Sequence, residues 1–206
     1  MAEKVDRRIR KTKTQLKNGL AKLMAEKSIN EISVKELVEL VDINRSTFYL
    51  HYSDIYNLLE EIEEEMLSEI KQSIEQHPMG VGYNTFTYLE DIYLALENNK
   101  DICKALLGDN GDASFIFKMK EIVQENSMKQ LELLFPDIKE DLKYTFSFCL
   151  SGCMGIVNQW LFENGSESPQ HMAKLTFSML IHALGIDGKY EKILNEQDKN
   201  NIVSHK

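Results

Sequence analysis

The chain has 206 residues of which 43% are hydrophobic, enough for a real core in one or two domains and too many for a disordered chain. Its longest apolar runs fall short of the roughly 18 residues that a membrane-spanning helix needs, and the charged N-terminus lacks the apolar centre of a signal peptide; a cytoplasmic location with no membrane partner is expected. Three cysteines give no disulfide framework, and a net charge of −9 taken alone argues against a nucleic-acid binder, because phosphate attraction needs a basic face.

The distribution of charge reverses that last exclusion. Residues 1–52 carry 11 Lys and Arg against 7 Asp and Glu, whereas the remainder carries 13 against 26. All four arginines (Arg7, Arg8, Arg10 and Arg45) fall in the first 45 residues, and the planar guanidinium suits phosphate oxygens and guanine edges. Only three prolines interrupt the chain and β-branched alternation is scarce, so an all-α fold is predicted.

A first helix is predicted from about Asp6 to Lys27, with Ile9, Leu16, Leu20, Leu23 and Met24 inward and Arg7, Arg8, Arg10, Lys11, Lys13 and Lys17 on the remaining, basic surface. Ser33-Val-Lys-Glu36 is a capping-box pattern, which starts a short second helix at Val34 and turns Leu37, Val38 and Leu40 inward. That helix should stop near Val41. Asp42 tolerates a left-handed turn, Ile43 can plug it, and Asn44 can cap a third helix over Arg45 to Tyr52. Phe48 and Tyr52, four apart, should face the core, leaving Arg45, Ser46, Tyr49 and His51 outward. Two short helices joined by a tight turn describe a helix-turn-helix whose second helix enters the major groove. Ser53 or Asp54 should cap a fourth helix to about Gln76. Its acidic run, Glu60-Glu61 and Glu63-Glu64-Glu65, reads as a solvated face.

After His77-Pro78-Met79-Gly80, helices are predicted at about Tyr83–Asn98, Lys100–Leu107, Ser114–Leu134, Ile138–Glu163 and Pro169–Leu184, with Gly108 to Asp112 a turn, Pro136 a helix stop and Ser168-Pro169 a helix start. In the 138–163 helix, Phe146, Cys149, Leu150, Cys153, Val157, Trp160 and Leu161 form an apolar stripe. Ser147, Ser151, Gly152 and Gly155 form a second, small-residue face. The last helix is apolar nearly all round, with Met172, Leu175, Phe177, Met179, Leu180, Ala183 and Leu184. Cys149 and Cys153 lack further ligands for a metal, His77, His171 and His182 are scattered, and no catalytic constellation, metal site or cofactor motif is present. About the last twenty residues are polar.

The stretch "LMAEKSINEISVKELVELVDINRSTFYLHYSDIYNLLEEI" resembles the TetR family of bacterial transcriptional regulators, over residues 6 to about 67. The resemblance implies an all-α fold: an N-terminal three-helix helix-turn-helix domain (6–67, motif 33–52), a C-terminal helical ligand-binding and dimerisation domain (68–186) and a polar tail (187–206). It also implies DNA contacts from Ser33 and His51 to phosphates, from Lys35 to base or phosphate, from Arg45 and Ser46 to bases, and from Thr47 and Tyr49 to backbone or base. Arg7, Arg8 and Arg10 would add backbone contacts. Three positions depart from the family pattern: Asp42 and Ser28 stand where glycines are usual, and Ile55 where a phosphate-gripping lysine opens the fourth helix. "LLGDNGDASFIFKMK" and "SGCMGIVNQWLFENGSESPQHMA" resemble a C-terminal type that includes regulators of dihydroxyacetone kinase genes. The expected function is a dimeric, sequence-specific regulator on a palindromic operator in double-stranded DNA. The last two helices of each subunit would form the homodimer's four-helix bundle, and the remaining helices would enclose a small apolar effector that releases a repressor. The alternative is an activator or co-regulator whose C-terminal domain binds another protein.

Overall fold

The computed structural model describes residues 2–76, 83–134, 140–163 and 167–184. The expected features at His77–Gly80, Pro136, Ile138 and 187–206 lie outside the described residues. Within them the chain is helical without strands: α1 (Ala2–Met24), α2 (Val34–Leu40), α3 (Arg45–Tyr49), α4 (Ile55–Gln76), α5 (Tyr83–Asn98), α6 (Lys100–Leu107), α7 (Ala113–Leu134), α8 (Leu142–Phe162) and α9 (Pro169–Ala183), with a 3-10 turn at Ile29–Glu31. The described residues fall into two compact units, one made of those up to 69 with 99–119, the other of those in 70–98 with those from 120 to 184.

In the first unit Leu16, Leu20, Leu37, Phe48 and Leu58 are all at 0% exposure, and Ala105, Leu106 and Phe115 belong to the same cluster. α6 and the opening of α7 therefore complete the core of the N-terminal helices. Asn110, in the α6–α7 turn, donates its side-chain amide to the Met24 carbonyl at 3.2 Å, which satisfies an acceptor left open at the end of α1. Gly19 permits the close approach of α1 to α2: a Cβ there would lie 2.4 Å from Val41 Cγ1 and 2.9 Å from Leu37 Cδ1. Gly19→Ala is expected to destabilise the unit by about 1 kcal/mol in chemical denaturation, because overpacking of roughly 1–3 kcal/mol exceeds the roughly 1 kcal/mol gained in helix propensity. A more stable variant would mean that Val41 swings aside freely.

Two inward and two outward assignments are corrected. Ile9 is 39% and Leu40 49% exposed: in α2 the buried face runs through Leu37 and Val38, with Val41 packed beside them, and at about 100° per residue Leu40 lies on the far side of Leu37 from that face. In the acidic run of α4, Glu63 is buried at 6% exposure with Oε1 unpartnered. Burial, reinforced by the Asp112 charge and opposed by Lys118, pushes its carboxyl pKa up. Glu61 is half-buried in an ion-pair cluster, so only Glu60, Glu64 and Glu65 form the expected solvated face.

In the second unit α5 packs along α9, and α8 also packs on α9. Tyr93, Trp160 and Thr176 tie these three helices together: the Tyr93 and Thr176 hydroxyls are 2.7 Å apart, and the Tyr93 and Trp160 rings meet edge to face at 5.3 Å. Ser168 caps α9 by accepting the His171 amide at 3.2 Å, with Pro169 in the first turn, as expected. Leu131, Leu142 and Phe146 join α7 to α8. α8 starts at Leu142, after a turn at Glu140–Asp141. Of its stripe, Phe146, Val157, Trp160 and Leu161 are buried, whereas Cys149, Leu150 and Cys153 are half-buried. The small-residue face is open: a Cβ on Gly152 or Gly155 would meet nothing within 4 Å. On α9, Met172 and Phe177 are buried, but Leu175 and Met179 are 37% and 51% exposed.

Candidate nucleic-acid interface

Local chemistry sets the turn. Ser33 Oγ accepts the Glu36 amide at 3.2 Å and starts α2, while the Glu36 carboxylate holds Lys27 Nζ at 2.5 Å. α2 ends as Asp42 takes the left-handed conformation, φ 53°, in which a short polar side chain is tolerated better than a branched one. The Ile43 amide returns to the Val38 carbonyl at 3.0 Å, and Ile43 packs on the core. Asn44 has the extended backbone of an N-cap, but its side chain makes no capping bond. The Asn44 carbonyl accepts from the Thr47 amide at 2.8 Å. α3 closes at Tyr49, three residues before the expected end, because the His51 amide bonds back to the Phe48 carbonyl at 2.9 Å and tightens the last turn.

Phe48 and Tyr52 are buried at 0% and 3% exposure, which turns the rest of this helix outward. Arg45 and Tyr49 lie one turn apart. The guanidinium donates to the Tyr49 hydroxyl at 3.2 Å and lies 5.6 Å from its ring centre, so the two side chains are ordered as a pair while their remaining donors face solvent. Ser46 is exposed, and Thr47 and His51 are half-buried. Ser33 is exposed beside them in sequence at the start of α2, its hydroxyl proton left free by the cap. Lys35 is exposed with only a loose Glu39 partner at 3.9 Å. Arg7, Arg8 and Arg10 are exposed on the first turns of α1.

Behind α3 the fold spends two of the lysines expected on the basic surface. Glu61 Oε1 accepts from the Tyr52 hydroxyl at 2.8 Å and pairs with Lys17 Nζ at 3.0 Å, while Oε2 pairs with Lys13 Nζ at 2.7 Å. Lys17 also reaches Glu65 at 2.5 Å. Burial would raise the Glu61 carboxyl, but the hydrogen bonds from Lys13, Lys17 and Tyr52 outweigh it and hold its pKa down at about 2. Burial and the bond to Glu61 raise the Tyr52 phenol in turn, keeping it a donor. The cluster ties the segment that follows α3 to α1 and α4. At the start of α4, Asp54 accepts the Asn57 amide at 2.8 Å, Ile55 is buried, and the exposed Tyr56 donates to Asn30 Oδ1 at 2.7 Å.

The sequence reading missed Glu61 as the anchor of this helix and Leu50 as its most exposed large apolar side chain, 80% accessible. Counting turns from Phe48 and Tyr52 would have found Leu50. The anchor leaves no local signal, because its lysine partners are 44 and 48 residues away and even Tyr52 is nine residues away, in the segment that follows α3.

Among the described residues no group of acidic, histidine or cysteine side chains could hold a metal, and no helix is long and apolar enough to cross a membrane. Burial pushes the Cys153 thiol up to about 11 and raises Cys149 as well, so both are protonated at neutral pH and weak nucleophiles.

A family model described as a transcriptional regulator C-terminal region, TetR_C_8, matches residues 83–182. The uncharacterized HTH-type transcriptional regulator YxbF of Bacillus subtilis (strain 168) is 24% identical over 80 residues, 39% of this chain and 19% of that protein, so the chain spans less than a fifth of that relative's length. A TetR transcriptional regulator from Streptococcus agalactiae superposes with a TM-score of 0.57 at 26% identity, over 87% of this chain and 99% of the other. The dihydroxyacetone kinase operon activator DhaS shares the fold, with a TM-score of 0.57 at 16% identity over 85% of this chain and 97% of its own. With a helix-turn-helix in α2 and α3 followed in the chain by this matched region, the chain is similar to TetR-family transcriptional regulators in its fold and over residues 83–182.

Proposed function

We propose that this chain is a cytoplasmic, dimeric repressor that binds a palindromic operator and is released by a small apolar effector. The observation that carries the DNA-binding part is the ordered Arg45–Tyr49 pair on the exposed side of a helix whose opposite side is wholly buried. In that reading Arg45 offers two donors to guanine O6 and N7, and Ser46, Thr47 and Tyr49 read neighbouring edges or backbone. Ser33, Lys35 and His51 hold phosphates, and Arg7, Arg8 and Arg10 add charge along the backbone.

Dimerisation is supported by an apolar surface on α8: Tyr144, Phe148 and Phe162 are 66%, 72% and 45% exposed alongside open Gly152 and Gly155, and exposed apolar patches mark interaction sites. Effector binding is supported by Ser127 and Asn158, whose buried Oγ and Oδ1 lack protein partners, since buried polar atoms are normally satisfied.

The test is footprinting and anisotropy titration on the DNA upstream of the chain's own gene. Protection of two inverted half-sites about one helical turn apart is expected. Arg45→Ala or Tyr49→Ala should weaken operator binding about tenfold while leaving non-specific binding nearly unchanged. Equal weakening on all DNA would reduce these residues to phosphate contacts, and no protection anywhere would remove the reading. Operator binding that no apolar metabolite relieves, but that a protein partner modifies, would replace the effector by a co-regulator.

A further inference from the structure

The α3 surface contains one side chain that none of the hydrogen-bonding roles above can use. Leu50 is 80% exposed and keeps right-handed helical angles, φ −73° and ψ −19°. It is two residues from Phe48 and two from Tyr52, hence about 200° around the helix from each. Because those two are the buried side, Leu50 points straight away from the core. Ser46, one turn earlier, shares that ridge, flanked by Arg45 and Tyr49 on one side and Thr47 and His51 on the other.

A lone exposed leucine is ordinary on a protein surface. Its position is what matters here, since it occupies the centre of a face otherwise made of hydrogen-bonding groups. Leucine has no donor or acceptor. Pressed against a base edge that presents only polar atoms, it would strip their water and return nothing. The floor of the major groove presents one apolar group, the thymine C5-methyl.

We propose that Leu50 is a specificity residue that reads a thymine methyl in each half-site, next to the base pair met by Ser46. This rests on the DNA-recognition reading above and adds a contact of opposite chemistry to it. A methyl buried against Leu50 should strengthen binding about fourfold per contact.

The test begins with full-length protein selecting duplexes from a random-sequence pool. In the enriched site each thymine is then replaced, one position at a time, by deoxyuridine, which removes only the methyl. The expected result is a loss of about fourfold at one position per half-site for the wild type and no loss at that position for Leu50→Ala. Thermal melting should be the same for both proteins, since the side chain packs on little. Two outcomes overturn the proposal alone: binding that no deoxyuridine weakens, or a deoxyuridine effect that persists unchanged in Leu50→Ala. A pool in which nothing is enriched overturns the DNA-recognition reading, and this proposal with it.

Discussion

Phe48→Ala should destabilise the N-terminal unit by about 4 kcal/mol, the largest effect expected of any single substitution in it. Phe48 is fully buried and lies in one cluster with Leu16 and Leu20 of α1, Leu37 of α2 and Leu58 of α4. Its ring meets Tyr49 edge to face at 5.4 Å and Tyr52 at 5.7 Å. Truncation removes the transfer energy of a whole ring and leaves a cavity among helices already packed on one another in a single cluster, which limits collapse. Tyr49→Ala, one residue along and 48% exposed, should change stability by less than about 0.5 kcal/mol. Hydrogen exchange of the α1–α4 amides measures both, because Trp160 belongs to the other unit and its fluorescence would not report on this one. A cost below about 1 kcal/mol for Phe48→Ala would mean that Tyr52 or Ile43 refills the space.

The second expected effect is electrostatic and carries a pH signature. Glu61→Gln should cost roughly 2 kcal/mol at neutral pH, discounted from the full linkage value because the cluster is partly open to solvent. The Glu61 carboxyl is held down at about 2 in the folded chain, below the range near 4 of an unfolded glutamate. A depressed carboxylate stabilises the fold above its unfolded pKa, and that stability is lost as pH falls toward the folded one. The difference between wild type and variant should therefore be constant above about pH 5 and shrink progressively toward pH 2. Glu63 titrates in the opposite sense, since its raised pKa makes its buried charge a cost at neutral pH that protonation relieves. It is common to both proteins and cancels in the comparison. Denaturant midpoints across pH decide the matter: a gap that stays constant down to pH 2 would assign the loss to packing rather than to charge.

Much of the recognition motif was legible because short-range chemistry writes it. The Ser33 cap, the left-handed Asp42, the plugging Ile43 and the inward Phe48–Tyr52 pair each depend on residues within four or five positions of one another. A sequence displays such relations directly. α5 and α6 were likewise read to the residue, since each runs between clear local breaks. The same periodicity failed at Ile9 and Leu40, where an apolar residue at helical spacing from the core lies just past the edge of the contact with neighbouring helices. Hydrophobicity names the residues that can be buried, and the partner's width selects which of them are.

Charge was the least legible. Glu61 and Glu63 belong to one acidic run and read alike, yet one is a half-buried hub for Lys13, Lys17 and Tyr52 and the other is buried with an unpartnered oxygen. Apart from Tyr52, nine residues away, their neighbours come from α1 and the α6–α7 region, far away in sequence. By itself, then, the sequence determined the helices, the tight turn and the face that α3 turns outward, because caps, turns and amphipathic spacing act over a few residues. Only the tertiary structure decided that α6 and α7 complete the N-terminal core and that Lys13 and Lys17 are spent on Glu61. Burial and ion pairing are set by what a side chain meets across space, and along the chain those partners are dozens of residues distant.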